Sequence, residues 1–101
     1  MYVLVRKDLS PSQICVQAAH ACIESTKNSP YKDEHPHLVI CSVDNEQKLK
    51  NSVERLESLG VRLHKFYEAD IGNQLTAIAT EPIMGEERSV FKRYQLLKFG
   101  T

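Results

Sequence analysis

The first 27 residues constrain the fold most. Tyr2-Val3-Leu4-Val5-Arg6 is a nearly continuous apolar run, the pattern of a strand covered on both faces. Ser10-Pro11 follows soon after, with Ser suited to a helix N-cap and Pro to the first helical position. A helix is predicted from Pro11 to Lys27, ended by Asn28-Ser29-Pro30. On a wheel of ~100° per residue, Gln13, Gln17, His20 and Glu24 fall in a stripe about 60° wide. Ile14, Cys15, Val16, Ala18, Ala19, Ala21, Cys22 and Ile23 fill nearly all the rest. A helix apolar over so much of its girth is expected to be mostly buried, with the polar stripe facing solvent, a cleft or a polar network.

The remainder alternates strands and helices. Residues 37–43 read as a second strand, rich in β-branched side chains. Asp44 is the expected N-cap of a second helix, with Gln47 completing a capping box, and Gly60 is its stop. Leu49, Val53 and Leu56 give that helix one apolar stripe. Residues 61–67 and 74–81 read as two more strands joined by a turn around Gly72, and residues 86–93 as a short helix. The order β-α-β-α-β-β-α predicts a three-layer α/β/α fold around a mixed four-stranded sheet, as one domain over residues 1–101. The apolar tail, Leu96, Leu97 and Phe99, has two possible fates: folding back on its own sheet, or pairing two copies into a homodimer.

Composition narrows the function classes. Hydrophobic residues are 42% and charged residues 26%, which excludes a disordered chain. No apolar run approaches the ~20 residues of a membrane span. The opening residues show neither a basic start nor a small-residue cleavage site, so no signal peptide is expected. Cys15, Cys22 and Cys41 are odd in number and form no C-x-x-C. They are read as small buried hydrophobes of a reduced, cytoplasmic protein. His35 and His37 sit in a predicted loop, and His37 reads better as a strand start than as a ligand. No metal and no cofactor are expected. Gly-rich nucleotide loops and the G-x-S-x-G elbow are missing.

The candidate site lies at the carboxyl end of strand one, where ligands bind in open α/β sheets and where Gln13 and Gln17 would stand. Glu68 and Asp70 are candidates because their turn can lie near the same end. From the residues alone, a polar turn is the stronger reading of the two.

Val3-Leu4-Val5-Arg6-Lys7-Asp8-Leu9, followed by Ile14-Cys15-Val16-Gln17-Ala18-Ala19-His20-Ala21, resembles the type II peptidyl-tRNA hydrolases. That family opens with a strand ending V-R-x-D-L and continues into a helix reading G-K-[IV]-A-A-Q-C-[AS]-H-A. The tail from Phe91 to Lys98 is similar to the end of short, divergent members. The resemblance implies hydrolysis of the ester linking a peptide to the terminal ribose of tRNA. It implies Gln17, His20 and Glu68 or Asp70 as catalytic residues, and Arg6 and Asp8 as substrate-binding ones. Lys7, from the basic run after strand one, and Gln13, from the polar stripe, complete the expected substrate-binding set. The chain departs from the pattern twice. The family's helix-one Lys falls on Gln13, and its D-A-G-R-T-Q segment is reduced to residues 68–74, where its Arg and Thr have no clear match. The alternative is a relative without turnover that binds RNA or a protein.

Thirteen basic and thirteen acidic residues give zero net charge, but unevenly. Residues 1–32 carry +2, residues 33–87 carry −6 and residues 88–101 carry +4. Binding to a phosphate backbone depends on local cations, so neutrality leaves room for a small tRNA site. The tail is expected to pack near strand one and join Arg6 and Lys7 in a basic rim beside Gln17 and His20.

Overall fold

The computed structural model describes residues 1–28, 37–83 and 85–99. Its elements in chain order are β1 (Tyr2–Arg6), α1 (Pro11–Asn28), β2 (Val39–Val43), α2 (Glu46–Ser58) and β3 (Leu63–Glu68), then a 3-10 turn (Ala69–Ile71), β4 (Gln74–Thr80), a second 3-10 segment (Gly85–Phe91) and β5 (Gln95–Leu96). Strands β3-β4-β1-β2-β5 lie side by side in that order. β1 and β2 are parallel, as their helical crossover requires, and the other pairings are antiparallel.

The sheet therefore has five strands, not the four expected. β5 was hidden because it is two residues long, exposed on both, and too short to show alternation. Its pairing with β2 turns the tail back onto the sheet, where Leu97 packs beneath α1 while Leu96 and Phe99 stay exposed. The expected helix at 86–93 is a 3-10 segment, because only Val90 and Phe91 turn inward from a run of Glu, Arg and Ser. Part of the expected loop at residues 28–36, with His35, lies outside the described residues. β2 starts at Val39, and His37 accepts the Met1 ammonium on its carbonyl at 2.7 Å.

Alternation along β1 divides the core. Val3 and Val5 pack with Ile14, Ala18 and Ala21 of α1, and Leu4 packs with Leu49, Val53 and Leu56 of α2. Leu4 is fully buried, so truncating it to Ala costs about 3 kcal/mol.

Both helix starts are built from side-chain caps. Ser10 and Gln13 form a reciprocal box: the Gln13 N–H donates to Ser10 Oγ at 3.3 Å, and the Ser10 N–H donates to Gln13 Oε1 at 3.2 Å. On α2 the cap is Asn45, not Asp44. Asn45 Oδ1 accepts the Lys48 N–H at 2.9 Å, while Asp44 turns to Lys7 at 3.1 Å and Gln47 donates to Asn51.

α1 is less buried than its composition suggests. Its inner face is Ile14, Gln17, Ala18, Ala21 and Ser25. Cys15, Val16, Ala19 and Ile23 form an exposed apolar strip, with Ile23 58% exposed. Of the three cysteines only Cys41 is fully buried. Cys22 is partly buried and Cys15 is exposed, because a helix on one face of a sheet covers only one side of itself.

Candidate active site

A one-residue irregularity in β4 organises the site. Phe66 of β3 faces Ala77 of β4, but the next residue, Tyr67, faces Leu75. Thr76 is thus the extra residue of a β-bulge. It sits with Ala77 on the α1 side instead of alternating to the other. Leu75 is thereby committed to the α2 cluster, and its N–H is taken by Glu46 Oε2 at 2.9 Å.

The bulge aims the Thr76 hydroxyl at α1. Thr76 Oγ1 donates to Gln17 Oε1 at 2.6 Å, and Gln17 Nε2 donates to Glu68 Oε1 at 3.0 Å. Thr76 is fully buried and Gln17 only 3% exposed, whereas Glu68 is half-buried and reaches solvent. A carboxylate only accepts hydrogen bonds, so Glu68 holds the amide end of Gln17 toward itself, and Thr76 holds the carbonyl end. The order hydroxyl, amide, carboxylate has one self-consistent direction. Gln17 Nε2 keeps a second N–H beyond the one given to Glu68.

Beside this chain, one turn further along α1, the exposed His20 ring stacks on Phe66 with centroids 4.5 Å apart and planes within 2°. Stacking fixes the imidazole plane and leaves its nitrogens at the rim. Phe66 and Glu68 are two apart on β3, so the polar stripe of α1 looks down on one face of that edge strand.

A second polar cluster meets the same end of β4. Arg6 Nε and Nη2 each donate to one oxygen of Asp8 at 2.9 Å, a bidentate fork. Arg6 Nη1 donates to Gln74 Oε1 at 2.8 Å and to the Leu75 carbonyl at 3.2 Å. Arg6 is 7% exposed. The fork to Asp8 raises the Arg6 pKa above its ordinary value and holds Asp8 below the usual carboxylate range.

The structure thus brings Gln17, His20 and Glu68 together and sets Arg6 with Asp8 at the neighbouring residues of β4. Lys7 is exposed and paired with Asp44. Gln13 serves the α1 cap. Asp70 is exposed on the 3-10 turn and, among the described residues, makes no hydrogen bond or ion pair to either cluster. Thr76, Gln74 and Phe66 were absent from the sequence-derived set. Thr76 had a signal: a lone hydroxyl in an apolar strand run, Leu75-Thr76-Ala77-Ile78-Ala79. Its facing depended on the bulge. The basic rim expected beside Gln17 and His20 does not form there, because β5 sits beyond β2 and Arg6 is bound by Asp8. Among the described residues no group of three His, Cys, Asp or Glu is placed to hold a metal ion, and no helix is long and apolar enough to cross a membrane.

The family model described as peptidyl-tRNA hydrolase PTH2 matches residues 1–97. No curated protein matches the chain.

Proposed function

The chain belongs to the peptidyl-tRNA hydrolase PTH2 family, and from that premise we propose that it cleaves the ester joining a peptide to the terminal ribose of tRNA, with Glu68 as base. The observation that carries the reading is the Thr76–Gln17–Glu68 chain. It orients one carboxylate and leaves that carboxylate open to solvent.

Ester hydrolysis needs an activated water, a stabilised oxyanion and a protonated leaving group. Glu68 takes the proton from water as the water oxygen attacks the ester carbonyl. The second N–H of Gln17 points the water or receives the developing oxyanion, a role that rewards an amide already locked in place. Collapse of the tetrahedral intermediate breaks the bond to the ribose oxygen. That oxygen leaves with a proton donated by the His20 imidazole. Thr76 acts by position, through the Gln17 carbonyl that it holds. Arg6 and Asp8 hold the end of β4 on which Thr76 rides, and Gln13 holds the start of α1. Asp70 has no part in the steps. A substrate of this kind supports a role in translation and a cytoplasmic location.

The departure at Gln13 removes a cation but not the acid, the amide or the histidine, which favours turnover over binding alone. The test is release of the acyl group from N-blocked aminoacyl-tRNA by the purified protein. Release well above buffer is expected, and it should be lost in Glu68→Gln. Release no faster than buffer sinks the reading. Full activity in Gln17→Ala and His20→Ala sinks the assignment of the site.

A further inference from the structure

The strongest feature outside the site is a groove of about 500 Å³ between α2 and the segment leading into β5. Its cations come from three parts of the chain: Lys7 after β1, Lys48 and Arg55 from α2, and Arg93 before β5. Residues 48 and 55 are two turns apart on α2 and share one side of it. Asp44 is the one acid in the lining, and it is paired with Lys7. Lys48, Arg55 and Arg93 make no ion pair among the described residues. The groove therefore carries three uncompensated positive charges in a chain whose total is zero.

Arg55 shows that this is more than loose surface lysines. Its Nη1 donates to the Val90 carbonyl at 3.0 Å and to the Tyr94 hydroxyl at 3.2 Å, and its guanidinium lies over the Tyr94 ring at 5.7 Å. All these anchors use one end of the guanidinium and one ring face. The Nε–Nη2 edge, the fork that matches two oxygens of a phosphate, makes no hydrogen bond or ion pair among the described residues. A fixed arginine loses little freedom on binding an anion.

We propose that this groove binds phosphate groups of a nucleic-acid backbone, as a site separate from the Glu68 cluster. No residue of α1 lines it. Lys7 lies between Arg6 and Asp8, so the groove opens at the same carboxyl edge of the sheet as the candidate active site. Its volume exceeds one phosphate, and its cations are spread over three segments, which suits successive phosphates along a strand. The proposal deepens the reading above by naming where the RNA part of the substrate is held.

The experiment is fluorescence anisotropy with a labelled RNA hairpin across a salt series. It compares wild type with Lys48→Glu/Arg93→Glu, and inorganic phosphate serves as competitor. Lys48 and Arg93 are both exposed, and equal urea midpoints confirm that the variant folds. The double reversal is expected to raise Kd by about tenfold or more and to reduce the log–log salt slope by about two. Millimolar phosphate should compete weakly. An unchanged Kd and slope overturn the proposal. So does displacement of RNA by micromolar phosphate, which marks a small-anion site. Wild type that binds RNA through the groove but releases no acyl group refutes the hydrolase reading and leaves the groove standing. Wild type that hydrolyses while the reversals leave RNA binding unchanged does the opposite.

Discussion

Two polar clusters flank the same three residues of β4, and they differ in what they leave unsatisfied. Around Arg6, the cation meets its carboxylate in a fork, and the third nitrogen of the guanidinium is satisfied by Gln74 and the Leu75 carbonyl. Around Glu68, a carboxylate is gripped on one oxygen by a neutral amide, and no cation balances it among the described residues. The first cluster is closed, and its stability is its output. The second keeps a charge and a lone pair facing solvent, which is what a base needs. Proximity to a site, then, does not make a charged residue part of the chemistry.

The sharpest break of this contrast is Glu68→Gln. It keeps the shape and removes the proposed base, so kcat is expected to fall about a thousandfold, within the span of general-base removal, with the urea midpoint nearly unchanged. A large loss of stability instead would move Glu68 into the closed class. Arg6→Ala should do the reverse and cost about 3 kcal/mol of unfolding free energy, because Asp8, Gln74 and a buried carbonyl lose their shared donor. Equilibrium urea unfolding reads this directly.

Asp8→Asn should cost less, about 1 kcal/mol, since the Asp8 side chain is 38% exposed and solvent screens the pair. Its pH dependence has a definite sign. The Arg6 fork depresses the folded-state pKa of Asp8, so the unfolded chain binds the proton first on acidification. The stabilisation is complete above the ordinary carboxylate range and is lost as pH falls through the depressed value. The wild-type advantage over Asp8→Asn should therefore shrink on acidification. An advantage that grows would contradict the fork.

Thr76→Val sharpens the comparison from within the open cluster. It frees the carbonyl end of Gln17, and kcat should drop about tenfold for a loss of about 1 kcal/mol in stability. Last comes Asp70→Asn, for which steady-state rates within about twofold of wild type are expected, as for an exposed surface change.

The legible part of this molecule was the part written in local rules. Apolar runs gave β1, β2 and β4, capping chemistry gave the start of α1, and the polar stripe of α1 pointed to Gln17 and His20. Three things were not local. β5 exists because β2 offers it an edge, and Gln95-Leu96 has no pattern of its own. The exposed side of α1, with Val16 and Ile23, shows that an apolar helix can still be covered on only one face. Glu68 still belongs to β3 and reaches Gln17, whereas Asp70 has passed into the 3-10 turn. One strand register separates the two, and the sequence does not display it.

The bulge also decides how a chain like this can be aligned and shortened. Residues 69–73 form a turn whose length can change without moving Thr76, whose distance from Thr80 is set inside the strand. Deleting one residue within 74–76 would instead remove the extra position and swing the hydroxyl to the opposite face, away from Gln17. Relatives of this protein are therefore better matched by counting backward from the end of β4 than forward from the acidic turn.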